Sequence, residues 1–80
     1  SPSHFSRLFK DIMEESFPSY VNRLRLSSAY QRLLDERDNT IEKIAQESGF
    51  YSSSYFTTLF RKQYGLSPSQ ARRRLSEKGE

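Results

Sequence analysis

Across Thr40–Tyr64, TIEKIAQESGFYSSSYFTTLFRKQY, two helical patterns lie on either side of a single glycine. Ile41, Ile44, Ala45 and Ser48 recur at the i, i+3, i+4, i+7 spacing of one helix face, which predicts a helix of about two turns. Asn39 or Thr40 supplies an oxygen to cap its start, and Glu42 sits in the first turn, where the helix dipole favours a negative charge. Gly49 ends it, because glycine enters the left-handed region without a Cβ clash. After a turn through Phe50, Tyr51 and Ser52, a second helix begins. Phe56, Leu59, Phe60 and Tyr64 form its apolar side, and Ser54, Thr58 and Arg61 lie opposite.

Two short amphipathic helices joined by a glycine-containing turn make a helix-turn-helix. Ala45 followed by Gly49 suits it, since crossing helices need a small side chain and then a residue free to turn. The outward side of the second helix carries hydroxyls and a guanidinium but no long acid. Such a face fits the major groove of DNA. It reads equally well as an ordinary solvated surface, so the decision passes to the rest of the chain.

Eighty residues make a single small domain or part of one, with a modest core concentrated in six Phe and five Tyr. The absence of Cys removes disulfides and thiolate metal sites and suits a reducing cytosol. No apolar run reaches the ~18 residues of a membrane span, and the expectation is a protein without a signal peptide. A net charge of +3 and a pI near 9.4 lean towards a polyanionic partner. A single His4 without Cys gives neither a nucleophile–base pair nor a metal cluster, which argues against an enzyme. No cofactor is implied.

The chain opens with SPSHFSRLFKDIM, in which Ser1 caps a helix and Pro2 takes its first position. Phe5, Leu8, Phe9, Ile12 and Met13 form the apolar face, with Ser3, Arg7 and Lys10 opposite. A shift of 51 residues places Ser3 on Ser54, Phe5 on Phe56, Leu8 on Leu59 and Phe9 on Phe60. It also places Lys10 on Arg61, Ser16 on Ser67 and Arg23 on Arg74, so the chain contains an internal repeat. The second copy has a helix and turn ahead of its outward-facing helix, whereas the first begins almost at that helix. The expectation is a first unit cut within itself, with Phe5, Leu8 and Phe9 short of packing partners and the N-terminal helix frayed, re-docked or covered by another copy.

Asp11 to Glu15 is read as an acidic interruption, and Ser16 as the cap of a helix over about Phe17 to Leu34. That helix changes its apolar side midway. Phe17, Tyr20, Val21 and Leu24 point one way, and Leu26, Ala29, Tyr30 and Leu33 point roughly the other way, which marks a linker closing two lobes. Arg23, Arg25 and Arg32 on it are solvated flanks or phosphate contacts. Asp35 to Asp38 form a polar exit. Gly65 is a second stop, and Ser67 with Pro68 a second hydroxyl-then-proline start. The last helix turns Ala71 and Leu75 inward and Arg72, Arg73 and Arg74 outward, fraying by Gly79. The domain plan is a recognition helix over 1–15, a linker helix over 16–37, a second helix-turn-helix with closing helix over 38–76 and a tail over 77–80.

GFYSSSYFTTLFRKQYGLSPSQARRR, with IAxxSGF, LFR and GLSPSQ at matching intervals, resembles the C-terminal signature of AraC/XylS-type transcriptional regulators. SPSHFSRLFKDIMEESFPSYVNRLRL resembles the preceding part of the same domain, so the likeness covers essentially the whole chain. It implies an all-α fold of two homeodomain-like helix-turn-helix lobes on a central linker helix, the first lobe incomplete. It also implies binding to double-stranded promoter DNA, usually to activate transcription, possible contact with RNA polymerase, and a separate effector or dimerisation domain. By resemblance the groove-facing positions fall on Ser53, Ser54, Tyr55 and Thr58 in the second lobe and on Ser3, Ser6 and Arg7 in the first.

Thr58 stands where the family often has a long basic residue, which implies a second lobe that reads bases weakly. Ala71 stands where an aromatic is usual, which implies looser packing of that lobe. Arg7 suits a guanine edge and Tyr55 a thymine methyl. Lys10, Thr40, Arg61, Lys62 and Arg72 are the candidate phosphate contacts. A helical protein-interaction module is the alternative, built on an uncovered Phe5, Leu8 and Phe9. RNA binding is weaker, since the aromatics sit at core spacing and not on an exposed strip where bases could stack.

Overall fold

The computed structural model describes residues 2–78, with the backbone alone for Pro2 and residues 75–78. Five helices follow one another: α1 (Pro2–Met13), α2 (Phe17–Asp35), α3 (Ile41–Glu47), α4 (Ser53–Tyr64) and α5 (Pro68–Lys78). The Ser1 cap and the residues after Lys78 lie outside the described part, as does the side chain of Leu75.

The α3–turn–α4 unit forms as its local sequence dictates. Thr40, in an extended conformation, accepts a hydrogen bond from Lys43 N and caps α3. At the other end Phe50 N donates to Ala45 O and Gly49 N to Gln46 O, the paired bonds of a Schellman motif, with Gly49 at φ 93°. Ser52 then caps α4 by accepting from Tyr55 N. Phe56 and Phe60 are fully buried, and Phe50 is buried against Phe56 at 5.0 Å between ring centroids. α4 ends at Gly65, φ 81°. Ser67 and Gln70 reciprocally bond each other's backbone N–H, a capping box that starts α5 with Pro68 buried.

α2 is the strut. Its second half buries Leu26, Ala29 and Leu33 among Ile44, Ala45, Phe56, Phe60 and Ala71, and Tyr30 stacks on Phe60 at 5.6 Å. The aromatic side of its first half packs on α1, while Arg25 on the same half reaches Gly49 of the second lobe. Phe5 and Phe9 pack edge-on to Phe17 at 5.5 and 5.3 Å, and Phe9 packs on Tyr20 at 5.3 Å. The face change expected midway along α2 is therefore present, with one lobe on each half. The lobes are unequal. Phe5, Leu8, Ile12 and Met13 stay between 43% and 69% exposed, so α1 is docked but half-covered. The molecule measures 48 × 22 × 18 Å.

Three expectations change. α1 continues through Asp11 and Ile12 to Met13, so the acidic stretch does not end it; the end comes at Glu14, φ 62°. α5 runs on to Lys78, past the boundary expected at 76. Ala71 is buried in the core, where its small side chain suits a close approach of α5 to α2. The looser packing expected from the missing aromatic gives way to that contact.

Candidate nucleic-acid interface

On α1, Ser3, Ser6, Arg7 and Lys10 are all exposed on the side away from Phe5 and Phe9. On α4, Ser54, Thr58 and Arg61 form the equivalent exposed stripe, with Tyr55, 45% exposed, and Lys62 on one flank. Ser53 is half-buried and lies off this stripe, next to the helix start. The structure thus keeps six of the seven candidate base-reading residues on exposed helix faces. It divides them between two helices that pack on opposite halves of α2.

Arg72 is turned inward, against the outward placement expected for it. Its guanidinium donates to Leu33 O at 3.2 Å, Glu36 O at 3.1 Å and Asn39 O at 2.8 Å. These carbonyls belong to the end of α2 and the α2–α3 loop, where the helix leaves them without partners of its own. Ala71, one residue earlier, is anchored in the core, which sets the guanidinium over those acceptors. Arg73 and Arg74 are exposed. The Thr40 hydroxyl is occupied as an acceptor in its cap and is exposed.

The arginines of α2 are largely tied down. Arg23 bonds Glu15 at 2.8 Å and lies over the Tyr20 ring. Arg32 bridges Glu36 and Glu47, joining α2 to α3, while Asn39 also donates to Glu36. Hydrogen bonding to Arg23 holds the Glu15 carboxyl below its ordinary pKa, and Arg32 does the same for Glu36. Their small contribution to stability is therefore present at neutral pH and lost only as pH falls below the usual carboxylate range. Arg25 packs its guanidinium stem near Gly49, within 3.1 Å of where a Cβ would stand. Among the candidate phosphate contacts, Arg7 as base reader included, the cations that stay outward and outside any ion pair are Arg7, Lys10, Arg61 and Lys62. Three of these four lie on the recognition stripes, and Lys62 on a flank. Tyr51, in the turn before Ser52, is 97% exposed and was not singled out by sequence spacing, because nothing in the periodicity marks a turn residue as projecting.

One helix-turn-helix and a second outer helix in the register of its recognition helix, both polar and cationic on their outer faces, define a DNA-binding class of domain. The comparisons agree. A family profile described as a helix-turn-helix domain matches residues 1–74. The chain is 39% identical over 75 residues to the uncharacterized transcriptional regulatory protein YesN of Bacillus subtilis, covering 92% of this chain and 20% of that protein. It is 40% identical over 77 residues to the regulatory protein PocR of Salmonella typhimurium, covering 96% and 25%. Its fold matches the crystal structure of a transcriptional regulator with an AraC-type DNA-binding domain from Chromobacterium violaceum at a TM-score of 0.83 and 28% identity. That match covers 94% of this chain and 66% of the other. The chain belongs to the AraC-type family of helix-turn-helix transcriptional regulators, as a DNA-binding domain. It spans a fifth to a quarter of the length of these two curated relatives. Among the described residues no helix is long and apolar enough to cross a membrane.

Proposed function

We propose that this domain binds a specific, asymmetric site in double-stranded promoter DNA, with α1 and α4 entering successive major grooves about one helical turn, ~34 Å, apart. The observation that carries this is the pair of exposed stripes, Ser3–Ser6–Arg7–Lys10 and Ser54–Thr58–Arg61, in equivalent register on helices at opposite ends of one strut. Arg7 donates two hydrogen bonds to a guanine edge. Ser3, Ser6, Ser54 and Thr58 are permissive readers, Ser53 stands aside from them at the helix start, and Tyr55 packs on a thymine methyl. Lys10, Arg61 and Lys62 hold phosphates and set register. Arg72 leaves that set for its role inside the domain, and the Thr40 hydroxyl keeps to its cap. Activity in the cytoplasm accords with this role.

Contact with RNA polymerase is a second role, for which the half-exposed apolar side of α1 is the available surface. Apolar docking there would persist at salt concentrations that release DNA.

The test is selection from a randomised duplex pool, followed by binding of two variants to the enriched sequence. Arg7→Ala should relax specificity at one position, at a cost of ~1–3 kcal/mol for that base pair. Arg61→Ala should weaken binding to all sequences and reduce the salt slope by about one. Equal losses on every sequence for both variants would overturn the division between base reading and phosphate holding.

A further inference from the structure

Tyr51 has no structural task in the second helix-turn-helix. It stands in the turn between α3 and α4, directly before the Ser52 cap, and 97% of it is exposed. A large apolar side chain just before an N-cap ordinarily packs back on the first turns of the helix. Here Phe50 does that instead, with its ring 5.0 Å from Phe56 and 6.5 Å from Tyr55. An aromatic ring of this size gains most from burial and is costly to leave in water. Tyr51 therefore stands ready for a surface that the free domain does not contain.

Its place in the fold says which surface. A recognition helix meets base edges with its N-terminal residues, so a residue just outside that terminus reaches the sugar–phosphate ridge that borders the groove. Glu42, Gln46 and Ser53 line the shallow hollow beside Phe50 and Tyr51. The exposed Glu42 carboxylate on the lining of that hollow repels phosphate, which leaves the projecting phenol as the group to meet it.

We propose that Tyr51 is a DNA-positioning contact: its hydroxyl donates to a phosphate oxygen at the edge of the major groove and its ring lies along the adjoining sugar, fixing the register of α4. This rests on the reading of α4 as a recognition helix. The contact is electrically neutral, so it releases no counterion of its own. It stabilises the complex without steepening the salt dependence, unlike the contact assigned to Arg61.

Tyr51→Ala and Tyr51→Phe, each in the full chain, are titrated by fluorescence anisotropy against the duplex enriched by the unmodified protein and against a scrambled duplex, over a range of salt. Tyr51→Ala should weaken binding to both duplexes by about tenfold, the factor for one hydrogen bond to a charged acceptor. Its salt slope, selected motif and melting temperature should stay unchanged, and Tyr51→Phe should recover the part owed to the ring. Undiminished binding by Tyr51→Ala would overturn the contact. A changed base preference with full affinity for the scrambled duplex would make Tyr51 a base reader and overturn the phosphate assignment. Absence of salt-dependent binding by the unmodified protein would instead remove the DNA reading itself, and the Tyr51 contact with it.

Discussion

Glu14 and Gly65 occupy the same place in the two copies of the repeat, 51 residues apart, and both take left-handed backbone, at φ 62° and 81°. Each ends a helix by donating its N–H to the carbonyl four residues earlier, Lys10 O and Arg61 O respectively. For glycine this conformation is free of Cβ strain, whereas for glutamate it costs ~1–2 kcal/mol. Glu14 also places a negative charge at the negative end of the α1 dipole. A Cβ at Gly65 would meet nothing within 4 Å, so the backbone conformation is the whole penalty there. Gly65→Ala should destabilise the domain by ~1 kcal/mol, a fall of several degrees in melting temperature. Glu14→Gly should do the reverse, slowing amide exchange in α1 by an amount worth ~0.5 kcal/mol once the extra freedom of glycine in the unfolded chain is subtracted. Faster exchange in Glu14→Gly would show that the side chain contributes more than its conformation costs.

At the level of elements, α5 packs through Ala71 and Pro68 and is tied to the end of α2 by one polar side chain. Arg72 satisfies three carbonyls at the end of α2 and in the loop to α3, and so ties the first and last helices of the second lobe together. Thermal unfolding of Arg72→Ala should show a loss of ~2 kcal/mol, because charge-assisted bonds are lost and the Leu33 and Asn39 carbonyls lose their donor, while Glu36 O keeps Asn39 N. Arg72→Lys should recover little, since an ammonium is a compact point charge without the planar fork that reaches three separated oxygens. A lysine variant as stable as the original would reduce Arg72 to a simple charge. None of this is legible along the sequence. The acceptors lie 33 to 39 residues away, and three consecutive arginines look alike on a helix pattern. The second helix-turn-helix was legible because its signals are local: the Thr40 and Ser52 caps, Gly49, and Phe56 with Phe60 at helical spacing. The end of α1 fell between these cases. A glutamate carries no left-handed signal of its own, so the acidic stretch of Asp11 to Glu15 stood in for the stop that Glu14 makes. On the candidate interface, spacing identified the exposed stripes but not Ser53, whose place at the helix start turns it aside.

For the whole molecule, the length of α2 decides how DNA can be engaged. The lobes sit on its two halves with no other element between them, and the longest dimension is 48 Å. A helix of 19 residues is ~28 Å long and stiff, so the separation of α1 from α4 is set by one rigid element and not by a flexible tether. This leads to an expectation that separates the domain from a dimer on a loose linker. In the enriched duplex, inserting about half a helical turn between the two half-sites puts the second on the opposite face and should cost all the affinity owed to one lobe. Inserting a full turn of ~10 base pairs restores the face but moves the half-sites to ~68 Å apart, beyond the reach of a 48 Å molecule. Binding to both insertions, measured by gel shift or anisotropy, should therefore fall to the level of a single half-site. Recovery with the full-turn insertion would mean that α2 bends or melts in the complex, or that two molecules share the site, and the strut would no longer set the spacing.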